Sequence, residues 1–308
     1  MIHIALASPG RISRRFLNGM KEIRNGKVTA FASRNPEKVR AFAEEYGVSE
    51  IASFRELCGR NEIDAFYLCT PSPVHYEMIK EGLLAGKHVL CEKPIVLKGA
   101  QYSELCGLAH RKGLVLMEAH KTLYTPTFRS IREVLAEHRL GRVYEVSAGF
   151  CRSEPPEEGE WRGTKEGGGA LADVGVYGLA AVFGLFGTDM ALQSWSSHPF
   201  RDTLGEGEIH LRKGELPLSV RYSFLGDGDC ALWIRGETGT LRCESFWKSR
   251  SFAIETEEGK EMFEFPFESE FAFETERFLE RIERGESRDP ESEKVSRKIL
   301  EVIDVLQG

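Results

Sequence analysis

Apolar residues in the first 120 positions come in short unbroken runs, each followed by a stretch of helical character. Ile2 to Ala7, Val28 to Ser33, Ala65 to Cys69, His88 to Cys91 and Val115 to Glu118 read as buried strands. Helices are predicted from about Ile12 to Ile23 and from about Tyr76 to Ala85. A third lies in "NPEKVRAFAEEYG", where Asn35 can cap the start, Pro36 suits the first helical position and Gly47 the end. Continuous apolar strands alternating with helices predict a parallel sheet covered on both faces, because only strands buried on both sides lose the polar–apolar alternation.

The pattern changes after about residue 125. A helix is predicted over Thr127 to His138, a strand over Gly141 to Phe150, then a long loop, then a helix over Val174 to Phe186. Seven strand-like runs follow with no helix between them: Ala191–Ser197, Glu206–Leu211, Leu218–Leu225, Ala231–Arg235, Gly239–Cys243, Ser251–Thr256 and Met262–Phe265. Amphipathic helices at Glu270 to Arg284 and Glu291 to Leu306 close the chain. The expected class is α/β: a doubly wound parallel sheet over residues 1–122, then an α+β domain with a large, mostly antiparallel open sheet over residues 123–308.

Composition narrows the function classes. A hydrophobic share of 41% and a charged share of 29% are those of a globular chain, and a formal net charge of −7 argues against a nucleic-acid or anionic-membrane binder. The N-terminus has neither the basic leader nor the apolar core of a signal peptide, and no apolar run in the sequence approaches a membrane span. Seven scattered cysteines without a C-x-x-C pair, and eight histidines without ligand spacing, predict reduced thiols, a cytoplasmic location and no metal site.

Candidate chemistry starts at "IALASPGRIS". A dinucleotide-binding turn wants G-x-G-x-x-G between strand and helix, so that backbone amides and the helix N-terminus meet a pyrophosphate. Here those positions hold Ser8, Gly10 and Ser13, with Arg11 and Ile12 opening the helix. Only the middle glycine is kept, and an ordinary strand–turn–helix fits equally. At the end of the second strand, where NAD-binding units carry an acidic residue, the chain has Ser33 and Arg34, which suit the 2′-phosphate of NADP. A solvated arginine is the alternative. Thr70-Pro71 ends a strand and, with Ser72-Pro73, fixes a loop ahead of His75 that can face a ligand. "CEKPI" places Glu92, Lys93 and Pro94 at a strand end. Gly167 to Gly169 free the backbone for a close approach, and Asp173 and Tyr177, four apart on a helix, can share a face. A helix cap and a packed aromatic would explain the same pair.

Together "CTPSPVH", "CEKPI", "LMEAH" and "GGGALADVGVY", in this order, resemble the Gfo/Idh/MocA oxidoreductases. The resemblance covers most of the chain and is weakest in the last third. It implies a Rossmann domain followed by an α/β domain whose open sheet mediates homodimer or homotetramer contacts. It implies that Lys93 lies beside the nicotinamide and the substrate oxygen, that Asp173 orients substrate, that Tyr177 is the acid/base residue and that Arg162, of the Trp161-Arg162 pair, lies near cofactor and substrate. Tyrosine at the last motif position is similar to the subgroup containing glucose–fructose oxidoreductase and dimeric dihydrodiol dehydrogenase. Two departures stand out: Ser8-Pro9 in the first turn, and His120-Lys121 where many relatives carry apolar or aromatic residues.

With Ser33-Arg34 pointing to NADP and NAD as the alternative nucleotide, the resemblance implies hydride transfer to or from the hydroxyl or carbonyl carbon of a small polyhydroxylated substrate. Either Lys93 or Tyr177 can be the formal acid/base. The rival expectation is a non-catalytic dinucleotide-binding regulator of the same fold, for which the altered first turn leaves room.

Overall fold

The computed structural model describes residues 1–307 and divides the chain into two units. Met1–Ala119 together with Glu268–Glu293 form the first, and His120–Phe267 together with the chain from Lys294 onward form the second. In place of the expected single boundary after residue 122 the chain crosses between the units three times, after Ala119, after Phe267 and after Glu293, so that Glu268–Glu293 returns to the first unit.

In the first unit the elements are β1 Ile2–Ala7, α1 Arg11–Met20, β2 Gly26–Ala32, α2 Pro36–Tyr46, β3 Glu50–Ala52, α3 Phe54–Cys58, β4 Ala65–Leu68, α4 His75–Leu84, β5 His88–Glu92, α5 Gly99–Lys112 and β6 Leu116–Ala119. The six strands lie in the order β3-β2-β1-β4-β5-β6, all pairs parallel. The order reverses between β1 and β4, so the crevice outside their carboxyl ends is the topological switch point of a doubly wound sheet. Phe31, Phe66, Leu68, Val89 and Leu90 are buried in the strands, as their unbroken apolar runs require. In α2 the Asn35 side chain accepts the Lys38 amide at 3.3 Å, and Gly47 ends the helix in the left-handed region. Three elements escape the pattern reading: three-residue β3, the short α3 and the whole of α5.

The second unit contains α6 Pro126–Ala136, β7 Val143–Cys151, α7 Val176–Phe186, β8 Ala191–Phe200, β9 Thr203–Lys213, β10 Leu216–Ser223, β11 Ala231–Gly236, β12 Thr240–Glu244, β13 Ser251–Thr256 and β14 Gly259–Glu264. Its eight strands are ordered β14-β13-β12-β11-β7-β10-β9-β8, antiparallel except for the β7–β10 pair. Helix α7 lies on one face: a Cβ on Gly178 would stand 2.6 Å from Val220 and 3.5 Å from Ala148. Two C-terminal helices follow, α8 Phe271–Arg284, which packs on α1 within the first unit, and α9 Pro290–Gln307.

The helical stretch Lys165–Phe186 is long and apolar enough to cross a membrane by length and composition alone, contrary to the reading of the sequence. Its apolar window is 78% buried inside the protein, as a core helix would be. The seven cysteines form no disulfide.

Candidate active site

The β1–α1 turn replaces two glycines with serines, and the structure gives each a local account. Ser8 adopts φ 68°, the left-handed region that glycine enters without penalty and other residues at a cost of ~1–2 kcal/mol. Ser13, fully buried, closes the first turn of α1: its hydroxyl accepts the Gly10 amide and donates to the Gly10 carbonyl at 2.8 Å. A Cβ on Gly10 would meet only the Ser8 carbonyl, at 3.9 Å, so the turn is open on that side. Ser8, Gly10 and Arg11 are exposed there and Ile12 is half-buried.

At the end of β2, Ser33 is engaged locally: its hydroxyl accepts the Asn35 amide at 3.1 Å and donates to the Asn35 carbonyl at 3.0 Å. Arg34 is exposed, next to the capped start of α2.

The ends of β4 and β5 are braced from behind. Tyr67, fully buried and stacked on Phe16, donates its hydroxyl to Glu92 at 2.7 Å. Burial, then the Glu92 charge, push the Tyr67 phenol well above its ordinary value, which keeps it a donor. Beyond the cis Lys93–Pro94 peptide, the Ile95 amide donates to Glu118 Oε1 at 3.0 Å. His75 spans the two loops: Nε2 is 2.8 Å from the Thr70 carbonyl and Nδ1 3.0 Å from the Pro94 carbonyl. The ring is 1% exposed, so the residue expected among the cofactor ligands has both nitrogens committed to the protein's own backbone. Lys93 is half-buried. Thr70 Oγ1 and Ser72 Oγ are buried without a hydrogen-bond partner at this strand end, an arrangement that an incoming polar ligand would relieve.

In the second unit the glycines of "EGGGA" do approach something closely, but it is the chain itself. A Cβ on Gly167 would fall 1.9 Å from the Trp161 carbonyl, and one on Gly169 (φ 63°) 2.4 Å from the Leu204 carbonyl. These contacts pin the loop that carries Arg162 to the start of the following helix. Arg162 is clamped between two carboxylates, Nε to Glu160 at 2.5 Å and Nη1 to Asp173 at 3.2 Å. Burial works against the guanidinium's charge, but the hydrogen bonds to Glu160 and Asp173 prevail and raise its pKa, while the Arg162 contact holds Glu160 below the usual carboxylate range. Asp173 lies in a π-helical turn, Leu171–Gly175, that leads into α7.

Tyr177 is held by a residue assigned no role from the sequence. Lys121, 3% exposed in the one-turn 3₁₀ segment Lys121–Tyr124, donates Nζ to Tyr177 Oη at 3.0 Å and stands 4.9 Å from the ring centroid. Phe150 and Trp247, stacked at 3.7 Å, complete an aromatic cluster with the Tyr177 ring at 5.8 and 6.4 Å. The partners Lys121 and Tyr177 are 56 positions apart, so no local pattern could have paired them.

Comparison with known proteins gives the family. Residues 2–120 match the model of the oxidoreductase family with NAD-binding Rossmann fold, and residues 128–242 match the GFO/IDH/MocA C-terminal domain. The chain belongs to the Gfo/Idh/MocA family. It is 30% identical over 278 residues to the dTDP-3,4-didehydro-2,6-dideoxy-alpha-D-glucose 3-reductase of Actinomadura kijaniata, covering 84% of this chain and 81% of that protein. It is 27% identical over 268 residues to the scyllo-inositol 2-dehydrogenase (NADP(+)) of Bacillus subtilis, again over 84% and 81%. The crystal structure of the 3-ketoreductase KijD10 from Actinomadura kijaniata in complex with NADP and TDP-benzene superposes with a TM-score of 0.90 at 28% identity, covering 99% of this chain and 96% of that one.

As a member of the Gfo/Idh/MocA family the protein is an NAD(P)-dependent oxidoreductase, and the expectation of a non-catalytic regulator is set aside. The first unit fits the cofactor on its own evidence. An open β1–α1 turn, a switch-point crevice and two unpartnered buried hydroxyls at the β4 end are what a dinucleotide would occupy. The serines at positions 8 and 13 keep the turn's shape without the glycines that usually announce it.

Proposed function

We propose that this protein transfers hydride between NADP and the hydroxyl or carbonyl carbon of a polyhydroxylated ring: a sugar, a polyol or a cyclic diol. The observation that carries the reading is the composition of the second unit's site. The stacked Phe150–Trp247 pair offers an apolar face for ring C–H groups, while Tyr177, Arg162 and Asp173 supply donors and acceptors for hydroxyls. Names of relatives that act on sugars and inositols support the same class.

Bound NADP supplies a hydride donor or acceptor at the nicotinamide. The chain's own residues do the rest. Ser8, Gly10, Arg11 and Ile12 offer backbone amides and a helix N-terminus to the pyrophosphate. Arg34, exposed beside the Ser33 turn, takes the 2′-phosphate, and a carboxylate there would repel it. Thr70 and Pro71 line the nucleotide from the β4 end. Glu92 and Pro94 fix Lys93, whose ammonium polarises the substrate oxygen, and Asp173 orients a neighbouring hydroxyl with Arg162. Tyr177 gives the proton to the oxygen in reduction and takes it back in oxidation. His75 holds the loops in place rather than touching the ligand. We further assign the protein to the reducing cytoplasm, consistent with seven cysteines in no disulfide, and propose a homodimer or homotetramer formed through the large sheet, where Trp195 on β8 is 46% exposed.

The test is a paired fluorescence titration with NADPH and NADH, followed by NADP⁺-linked oxidation of scyllo-inositol, D-glucose and trans-cyclohexane-1,2-diol. NADPH is expected to bind more tightly, and the preference is expected to reverse in Arg34→Asp. Tighter binding of NADH by the wild type would overturn the role of Arg34, and failure to bind either nucleotide would overturn the whole reading.

A further inference from the structure

Lys121 is a buried ammonium outside the set of residues that the family's motifs mark. An ammonium has three donors and no acceptor, so in the 3.0 Å contact it is the Tyr177 oxygen that accepts. The phenol's own proton therefore does not point at Nζ, and its lone pair faces a positive charge. The 4.9 Å approach to the ring places the same charge against the aromatic face. With Lys121 at 3% exposure, solvent does little to screen this interaction.

We propose that Lys121 is a positioning residue for the reaction: it holds the Tyr177 oxygen and stabilises the phenolate left when Tyr177 hands its proton to the substrate oxygen. The inference rests on the reading of Tyr177 as the proton-transferring group. In reduction the carbonyl carbon receives the hydride from the nicotinamide and the carbonyl oxygen receives the Tyr177 proton. The phenolate beside Lys121 then regains a proton from solvent, and in oxidation each transfer runs backwards. No further reagent is needed.

Other charged or titratable groups stand on the elements packed against the Tyr177 helix. Asp173, in the turn before it, is paired with Arg162. His120 precedes Lys121 in the chain. Arg152, at the end of β7, lies over Phe150 and Trp247 at 5.5 and 5.6 Å. Tyr222 on β10 is fully buried, and burial raises its phenol above the ordinary range, so it stays protonated. Among these contacts it is Lys121 whose cation is hydrogen-bonded to the Tyr177 oxygen.

The experiment compares the wild type with Lys121→Met, Lys121→Gln, Lys121→Arg, Tyr177→Phe and the double variant K121M/Y177F, each checked for folding by circular dichroism. Turnover is measured with scyllo-inositol, D-glucose and trans-cyclohexane-1,2-diol, with K121Q expected to resemble K121M and K121R the wild type. In NADP⁺-linked oxidation of scyllo-inositol, K121M is expected to lower kcat by about 10- to 100-fold with KM little changed. The same change in a Y177F background is expected to cost almost nothing more. Wild-type kcat in K121M overturns the proposal, as does a K121M loss that simply multiplies with that of Y177F. Wild-type turnover in Y177F would instead overturn the assignment of Tyr177 and leave the Lys121 contact as structure alone.

Discussion

The Tyr67 phenol and the Glu92 carboxylate, on the adjacent parallel strands β4 and β5, are joined by a 2.7 Å hydrogen bond in the interior of the first unit. The contact fixes the residue immediately before Lys93, so the strand end that presents the lysine is anchored from the core side. Tyr67→Phe keeps the ring and its stacking on Phe16 but leaves the carboxylate, 8% exposed, without that donor. A loss of about 2 kcal/mol is expected, as for a buried hydrogen bond to a charged group. Urea denaturation of the variant checks it, and an unchanged midpoint would mean that Glu92 is satisfied without Tyr67.

Lys93 itself is a test of the chemistry rather than of the fold. Half-buried at the β5 end, it can lose its charge to methionine with its aliphatic stem largely replaced. Lys93→Met is expected to leave NADPH affinity within a few-fold and to cost roughly 10²-fold or more in turnover. Wild-type turnover in that variant would remove Lys93 from the mechanism.

How much of this was legible in the sequence depends on whether the information is local. The caps of α2, the unbroken apolar strands and the seven strands of the second half are local, and each is found within a few residues of its expected place. Helix α5 was missed because Gly99 opens it with no capping side chain at Lys98, and its composition is weakly amphipathic; Gly113 and the basic last turn His110, Arg111 and Lys112 were the usable signals. The return of Glu268–Glu293 to the first unit and the Lys121–Tyr177 contact are long-range, and no periodicity encodes them. The roles of the motif residues came from resemblance, whereas Glu118, inside the quoted "LMEAH", needed the structure to show that it holds the Ile95 amide.

Acid should loosen the second unit through Glu160. Its hydrogen bond from Arg162 depresses the carboxyl below the ordinary value of about 4.5, so the unfolded chain takes up a proton more readily than the folded one. The stability this provides is present above about pH 4.5 and is lost as the pH falls through the lower, folded value. Glu160→Gln is expected to cost less than ~1 kcal/mol at neutral pH and to flatten stability against pH below 5, since the pair is only partly screened from water. Superimposable acid limbs for variant and wild type would show that Arg162 does not discriminate the two protonation states.

His75 offers the sharpest separation of scaffold from ligand contact. A neutral imidazole donates to only one of the two carbonyls it faces, at Thr70 and Pro94, and an imidazolium would satisfy both. Burial nevertheless holds the ring below its ordinary pKa of 6.5, outweighing those carbonyls and the Glu92 and Glu118 charges, so the neutral form prevails. The sign of the pH effect follows. Below about pH 6.5 the unfolded chain gains a proton that the folded chain resists, and stability falls with acidification until the folded ring also titrates. His75→Phe fills the same volume, removes that dependence and leaves at least one buried carbonyl without a donor, at about 1–3 kcal/mol. Because the Thr70 loop and the Lys93–Pro94 turn would no longer be tied together, NADPH affinity is expected to weaken about tenfold, a misplacement cost rather than a lost contact. Isothermal titration across pH 5.5 to 8 separates the cases. A pH-independent loss of affinity alongside the stability change identifies a brace, whereas wild-type affinity with reduced stability would leave the cofactor site indifferent to His75.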